Sequence, residues 1–330
     1  MHSRSLLAKY TILSAVFLLS LGCSMALAQE GVLQIHPAGP SDGKYLSPEL
    51  IERSREVRPS AGSREMYATL EKEGITFDTP KGPVFENEGN SLYWKLEGGE
   101  RIPVAISESS QIVYGQTVSR NEFGISGGIF PSPDGEKVAF YRKDESRVTD
   151  FPHLDITTRT GSLVTINYPM NGMESERITL GVFDRTTRRT VWMDVRDFGE
   201  DRYLTNVSWG PDSRYIFIQV LDRSQKHMRL NQYSARDGHF VRTILTEDCD
   251  KYVEPLDALH FIGEGYQFIY RTNNRDNYRN LYLCDTLGTV RRLTEVDADV
   301  KWVGFNGKEV LYTSAEVSPI ELDVECYNDK

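Results

Sequence analysis

The chain has 330 residues and a formal net charge of −10, with 38 Lys and Arg against 48 Asp and Glu. That acidity excludes nucleic acid and anionic membrane surfaces as partners, because both demand a basic face. The length is enough for one large domain or two small ones. The 17 Tyr and 14 Phe, set among 26 Gly and 14 Pro, favour pleated strands broken by tight turns.

The first 28 residues read as an export signal. Arg4 and Lys9 form a short basic region, and Tyr10 to Leu21 is uncharged and largely apolar. Ala26-Leu27-Ala28 then supplies small residues at the positions a signal peptidase reads. The apolar run is shorter than the ~20 residues that span a bilayer. Gly22-Cys23 offers an alternative, lipid attachment at Cys23. Either way the protein is expected to be exported, to the periplasm or the cell surface. Cleavage after Ala28 removes two cations and no acid, which takes the net charge from −10 to −12. It leaves Cys249, Cys284 and Cys326: an odd number, widely spaced, with no CxxC pair. Buried or free thiols are expected rather than a disulfide framework or a zinc site.

Residues 29–85 read as a lead-in, partly helical. Ser47-Pro48-Glu49 has the form of a helix start, and a second short helix is expected over about Ser63 to Glu73. From residue 86 onward the pattern becomes short apolar runs between turn residues. Four segments align: Phe130-PSPDGEKVAFYR, Trp209-GPDSRYIFIQ, Phe261-IGEGYQFIYR and Trp302-VGFNGKEVLYT. Each has a leading aromatic, a turn, and a strand of four or five residues. The leading aromatics are 79, 52 and 41 residues apart. A unit of roughly 40–45 residues is the period of four-stranded propeller blades. On that period the first interval holds two units, the extra one carrying Ile178–Phe183 and Thr190–Val195. Leu281 to Gly288 reads as a further strand ending in a tight turn. The fold class is therefore all-β, a β-propeller over residues 86–330, with an irregular β-sandwich as the alternative.

No complete catalytic apparatus is legible. Gly124-Ile125-Ser126-Gly127-Gly128 matches the GxSxG of a hydrolase elbow, but that motif needs a helix directly after the serine. Pro131-Ser132-Pro133-Asp134-Gly135 follows too closely for one. The six histidines (His2, His36, His153, His227, His239 and His260) form no i, i+4 pair and no HExxH motif, so no metal is expected. His260, beside a leading aromatic, reads as a core residue. No phosphate-cradling loop or dinucleotide fingerprint is present, and no cofactor is expected.

One stretch carries more information than any single motif. It runs from Val113-Tyr-Gly-Gln-Thr-Val-Ser-Arg-Asn-Glu-Phe-Gly124 through the PSPDG turn and AFYRKDES to Tyr168-Pro169-Met170-Asn171-Gly172. In this order it resembles the N-terminal propeller of the dipeptidyl peptidase IV family of serine exopeptidases, bacterial branch. Tyr203 to Asp212, Tyr252-Val-Glu-Pro255, Arg271 to Tyr282 and Ser318-Pro-Ile-Glu321 continue the likeness, which covers about Phe77 to the C-terminus. Departures are Pro131 for tryptophan, Asn171 for alanine, and Asn277 and Asn280 for the Gly and His of an RDG-x-x-H-type segment.

The resemblance implies an eight-bladed propeller, incomplete here, that caps an α/β-hydrolase domain lying later in the chain. That hydrolase carries the Ser-Asp-His triad, and this sequence reaches Lys330 before any such elbow. The chain is therefore expected to be inactive alone. It also implies one site. Glu122 matches the second of two acidic residues that bind the substrate's free α-ammonium, and Asn121 stands where the first would be. The implied partners are a peptide with a free N-terminus and a C-terminal hydrolase domain. A stand-alone propeller that binds a peptide or protein, and a remnant of a truncated gene, are the alternatives.

Overall fold

The computed structural model of the chain describes residues 83–96, 98–262, 265–305, 309–318 and 321–328. The expected export signal and the two expected lead-in helices fall outside the described residues. The first strand begins at Val84, slightly ahead of the boundary expected at 86.

Among the described residues every regular element longer than a single 3-10 turn is a strand, and every ladder is antiparallel. β1 (Val84–Glu88), β2 (Ser91–Lys95) and β3 (Arg101–Ala105) form a first sheet in that order. The second sheet takes β4 (Ile112–Tyr114), β5 (Ile129–Pro131), β6 (Lys137–Asp144), β9 (Arg177–Asp184) and β10 (Arg189–Trp192). Its order is β10-β9-β6-β4, with β5 also paired to β6. Between β6 and β9, β7 (Asp150–Asp155) and β8 (Ser162–Asn167) form a separate two-stranded ribbon. The third sheet is β11 (Arg202–Trp209), β12 (Tyr215–Asp222), β13 (His227–Ser234) and β14 (Phe240–Asp248). The fourth is β15 (His260–Phe261), β16 (Gln267–Thr272), β17 (Asn280–Asp285) and β18 (Val290–Arg292).

Residues 79–297 form one compact unit. A second unit contains a three-stranded sheet of β19 (Val300–Phe305), β20 (Glu309–Ser318) and β21 (Glu321–Asn328).

The aligned sequence units are hairpins. Each leading aromatic ends or lies in a first strand, and the turn returns the chain antiparallel: Phe130 pairs Ala139, Trp209 pairs Ile216, Phe261 pairs Phe268, and Trp302 pairs Tyr312. Two expectations need correction. The strands after the turns are longer than four or five residues; β6 and β12 have eight each. And Ile178–Phe183 and Thr190–Val195 make no extra unit. The first run lies in β9 and the second starts in β10, both on the sheet that holds Phe130. The 79-residue interval is long because the β7–β8 ribbon and its connections are inserted within one sheet.

Period-2 geometry explains why the third sheet reads as a continuous apolar run. Successive side chains on a strand point to opposite faces. Ile216, Ile218 and Val220 enter one core with Ala139, Tyr141 and Leu180 of the second sheet. Phe217 and Leu221 enter another with Phe268, Tyr270 and Tyr282 of the fourth. A third core joins Leu92 and Trp94 of the first sheet to Val138, Phe140 and Phe183 of the second. Consecutive sheets thus pack face to face in chain order. Each fully buried large side chain contributes about 1.5–3 kcal/mol. Directed bonds tie the same faces together: Trp209 Nε1 donates to the Phe130 carbonyl at 2.8 Å, and the Tyr141 hydroxyl to the Leu204 carbonyl at 2.7 Å.

Candidate functional site

The segment between β4 and β5 is built unlike the sheets. Ser119, Arg120, Asn121 and Phe123 all have φ between 49° and 63°, and Gly124 has φ +74°. Left-handed backbone is costly for residues with a Cβ and persists only where the surroundings impose it. Here they do. Phe123 is buried in the core between the third and fourth sheets, its ring 4.7 Å from that of Tyr203. The Asn206 amide donates to the carbonyls of Phe123 at 3.0 Å and Pro255 at 2.8 Å. The Ser119 N–H donates to the Glu176 carboxylate at 2.9 Å. A Cβ on Gly124 would stand 2.0 Å from the Leu256 carbonyl oxygen, so nothing larger than glycine fits.

Within this turn Glu122 keeps an ordinary φ of −74° and, like Asn121, is exposed. It lines a polar cavity of about 200 Å³. Arg120 and Tyr168 form part of the wall, the guanidinium carbon lying 3.5 Å from the ring centre. Arg223 forms another part: it donates to the Ser175 hydroxyl at 2.5 Å and the Tyr203 hydroxyl at 3.0 Å, and lies 3.7 Å from Asp201. Burial holds the Tyr203 phenol above its ordinary range, Arg223 opposing and Glu122 adding to that shift. Among the described residues the Glu122 carboxylate has no hydrogen-bond or ion-pair partner.

The structure therefore places Glu122 and Asn121 together on one turn, with only Glu122 at the cavity. Sequence reasoning missed the cavity's other charged walls. Tyr168 and Tyr203 lie within motifs already singled out, whereas no signal distinguishes Arg223 in the sequence.

The remaining candidates settle into structural roles. Ser126 is followed by β5, not a helix, and a Cβ on Gly128 would meet the Gln116 carbonyl oxygen at 2.0 Å. Gly124 and Gly128 of this motif thus serve close backbone packing, while Gly127 has open space around it. Asn280 is fully buried and accepts from the Thr294 hydroxyl at 2.8 Å. His260, read from the sequence as a core residue, is only half-buried at the start of β15 and lies in none of the three cores, though burial still pushes its pKa below the ordinary value. Cys249 and Cys284 are free thiols, and burial pushes Cys284 up to about 12. Among the described residues no cluster of His, Cys, Asp or Glu could hold a metal ion.

A family model described as the dipeptidyl peptidase IV N-terminal region matches residues 83–324. The chain belongs to that family. A crystal structure from Bacteroides ovatus ATCC 8483, described as a dipeptidyl aminopeptidase IV, is similar to it with a TM-score of 0.62 and 34% identity, covering 71% of this chain and 37% of that one. Porphyromonas gingivalis dipeptidyl peptidase 4 shares the fold with a TM-score of 0.68 at 24% identity, over 77% of this chain and 37% of that one. A dipeptidyl-aminopeptidase B sequence of Pyrenophora tritici-repentis is 24% identical over 179 residues, 48% of this chain and 20% of its own length. The dipeptidyl peptidase IV region described here thus spans about a fifth of such a curated relative and 37% of each solved chain.

Proposed function

We propose that this dipeptidyl peptidase IV N-terminal region is an exported β-propeller, in the periplasm or on the cell surface. It binds the free amino terminus of a peptide through Glu122, with Asn121 beside it, and controls access to a hydrolase domain that cleaves the peptide. Serial packing of antiparallel sheets in chain order supports blades set around a common funnel. Family membership supports the peptidase connection.

The observation that carries amine recognition is the unpartnered Glu122 carboxylate at a cavity wall, on a turn that costs conformational energy to hold. An exposed ion pair contributes only about 0–1 kcal/mol. A peptide end that displaces water from the cavity moves the same pair toward the ~1.5–3 kcal/mol of a charge-assisted hydrogen bond. A carboxylate fixed in this way recognises a chain end because internal residues have no ammonium to offer.

The test is calorimetric titration of the full chain with a short peptide in free-amine and N-acetylated forms. Glu122→Gln keeps the shape and removes the charge. It should weaken binding of the free-amine peptide about tenfold or more and leave the acetylated one unchanged. Equal affinity of the unmodified chain for both peptides would remove Glu122 from the role. The chain alone should not turn over a chromogenic Xaa-Pro substrate, since Ser126 lacks the strand-to-helix elbow a nucleophile needs. Turnover that Ser126→Ala abolishes would overturn that view.

A further inference from the structure

Two of the charged groups around the cavity, one of each sign, have no polar partner among the described residues. Glu176 accepts the Ser119 N–H. Arg202 donates to the carbonyls of Val195 at 2.8 Å and Asp197 at 3.2 Å, and also to that of Gly199. Arg223 and Asp201 face each other across 3.7 Å, and Arg223 is further held by Ser175 and Tyr203. What remains is the Glu122 carboxylate and the Arg120 guanidinium.

Arg120 is notable because its neighbour is a ring and not an acid. Its guanidinium rests on Tyr168, and among the described residues it has no carboxylate partner. Elsewhere in the same unit arginines reach acids at hydrogen-bond distance, as Arg185 does Glu136 at 2.6 Å and Arg271 does Asp257 at 2.6 Å. Stacking on an aromatic face fixes the guanidinium plane while leaving its N–H edge free to bind. Arg120 and Glu122 sit two residues apart on one turn, whose backbone is held by Asn206 at the Phe123 carbonyl and by Glu176 at the Ser119 N–H.

We propose that the cavity is selective for a peptide whose first residue is acidic, Glu122 taking the α-ammonium and Arg120 the side-chain carboxylate of that same residue. This rests on the amine-recognition reading above. A dipolar terminal residue satisfies both unpaired groups at once; a neutral first residue leaves the guanidinium unmatched. The cavity, about 200 Å³ in volume, is lined on one side by both groups.

The experiment is titration of the full chain with C-terminally amidated Asp-Ala-Ala-Ala and Asn-Ala-Ala-Ala, each with a free and an acetylated N-terminus. The Asp peptide should bind about five- to tenfold more tightly than the Asn peptide in the free-amine form, and added salt should narrow the gap. Arg120→Gln should bring the ratio to about one, while Arg120→Lys, which keeps the charge, should retain part of the preference. Equal affinities for free Asp and Asn peptides, both still tighter than their acetylated forms, would overturn this inference and leave amine recognition standing. Loss of the free-amine requirement would overturn both. An Asp preference that survives Arg120→Gln would remove Arg120 from the site; the Asp-to-Asn ratio of the unmodified chain decides the selectivity itself even if that variant fails to fold.

Discussion

The third sheet and the turn over residues 118–124 solve opposite problems with neighbouring pieces of chain. In β12, Ile216, Phe217 and Ile218 are all fully buried, and antiparallel ladders join the strand to β13 without a break and to β11 across one register shift between Thr205 and Ser208. Its stability comes from apolar area on two faces, which other large apolar side chains could supply. The turn buries only Val118, Ser119 and Phe123 before Gly124, and holds several residues in left-handed backbone. It depends on particular partners: an asparagine amide, a glycine with no room for a Cβ, and one acid that receives a backbone N–H. Val118 and Phe123 return part of that cost by entering two cores, whereas the exposed Glu122 between them enters neither.

The contrast can be broken from the sheet side first. Phe217→Ala should cost about 3–5 kcal/mol, read from the denaturant midpoint, because it opens a cavity in a closed core. It should leave the free-to-acetylated binding ratio unchanged in the fraction that stays folded. Gly124→Ala should cost about 3 kcal/mol, since the new methyl meets the Leu256 backbone in a left-handed conformation. Unlike the core substitution it should abolish the binding ratio, because Glu122 moves with the turn. Asn206→Ala removes the donor shared by the Phe123 and Pro255 carbonyls and should cost about 2 kcal/mol, with partial loss of the ratio.

A smaller effect lies at the joint between the third and fourth sheets. Glu247 on β14 is buried, and burial raises its carboxyl pKa, with hydrogen bonds from Thr272 and Tyr270 opposing. A carboxyl whose folded pKa is raised adds stability that is complete below its unfolded value and lost as pH rises through the folded one. Glu247→Gln removes that loss. The melting temperature of the variant, relative to the unmodified chain, should therefore be higher at pH 8 than at pH 4. A constant difference between the two pH values would place Glu247 in contact with water. Smallest of all is Glu122→Gln, which should change stability by less than about 0.5 kcal/mol because the carboxylate has no partner to lose.

The fold was legible where local chemistry repeats. The aromatic-turn-strand units became hairpins because a turn residue and a flanking apolar run determine one another locally. The sheet to which Ile178–Phe183 belongs was not legible, since strand partnership across the β7–β8 insertion depends on contacts that no local pattern records. Glu122 could be singled out through the surrounding Arg-Asn-Glu-Phe-Gly motif. The left-handed turn itself left one trace in the sequence, Gly124. Arg223 reaches the cavity from the β12–β13 connection, far away in sequence, and nothing in its neighbours marks it.

The most direct measurement is a crystal structure of the full chain with a free-amine peptide bound. The α-nitrogen should lie within about 4 Å of a Glu122 carboxylate oxygen, the reach of an ion pair, with residues 119–124 unchanged in backbone conformation. A peptide bound with its amino terminus directed elsewhere, and Glu122 still facing solvent, would contradict the account.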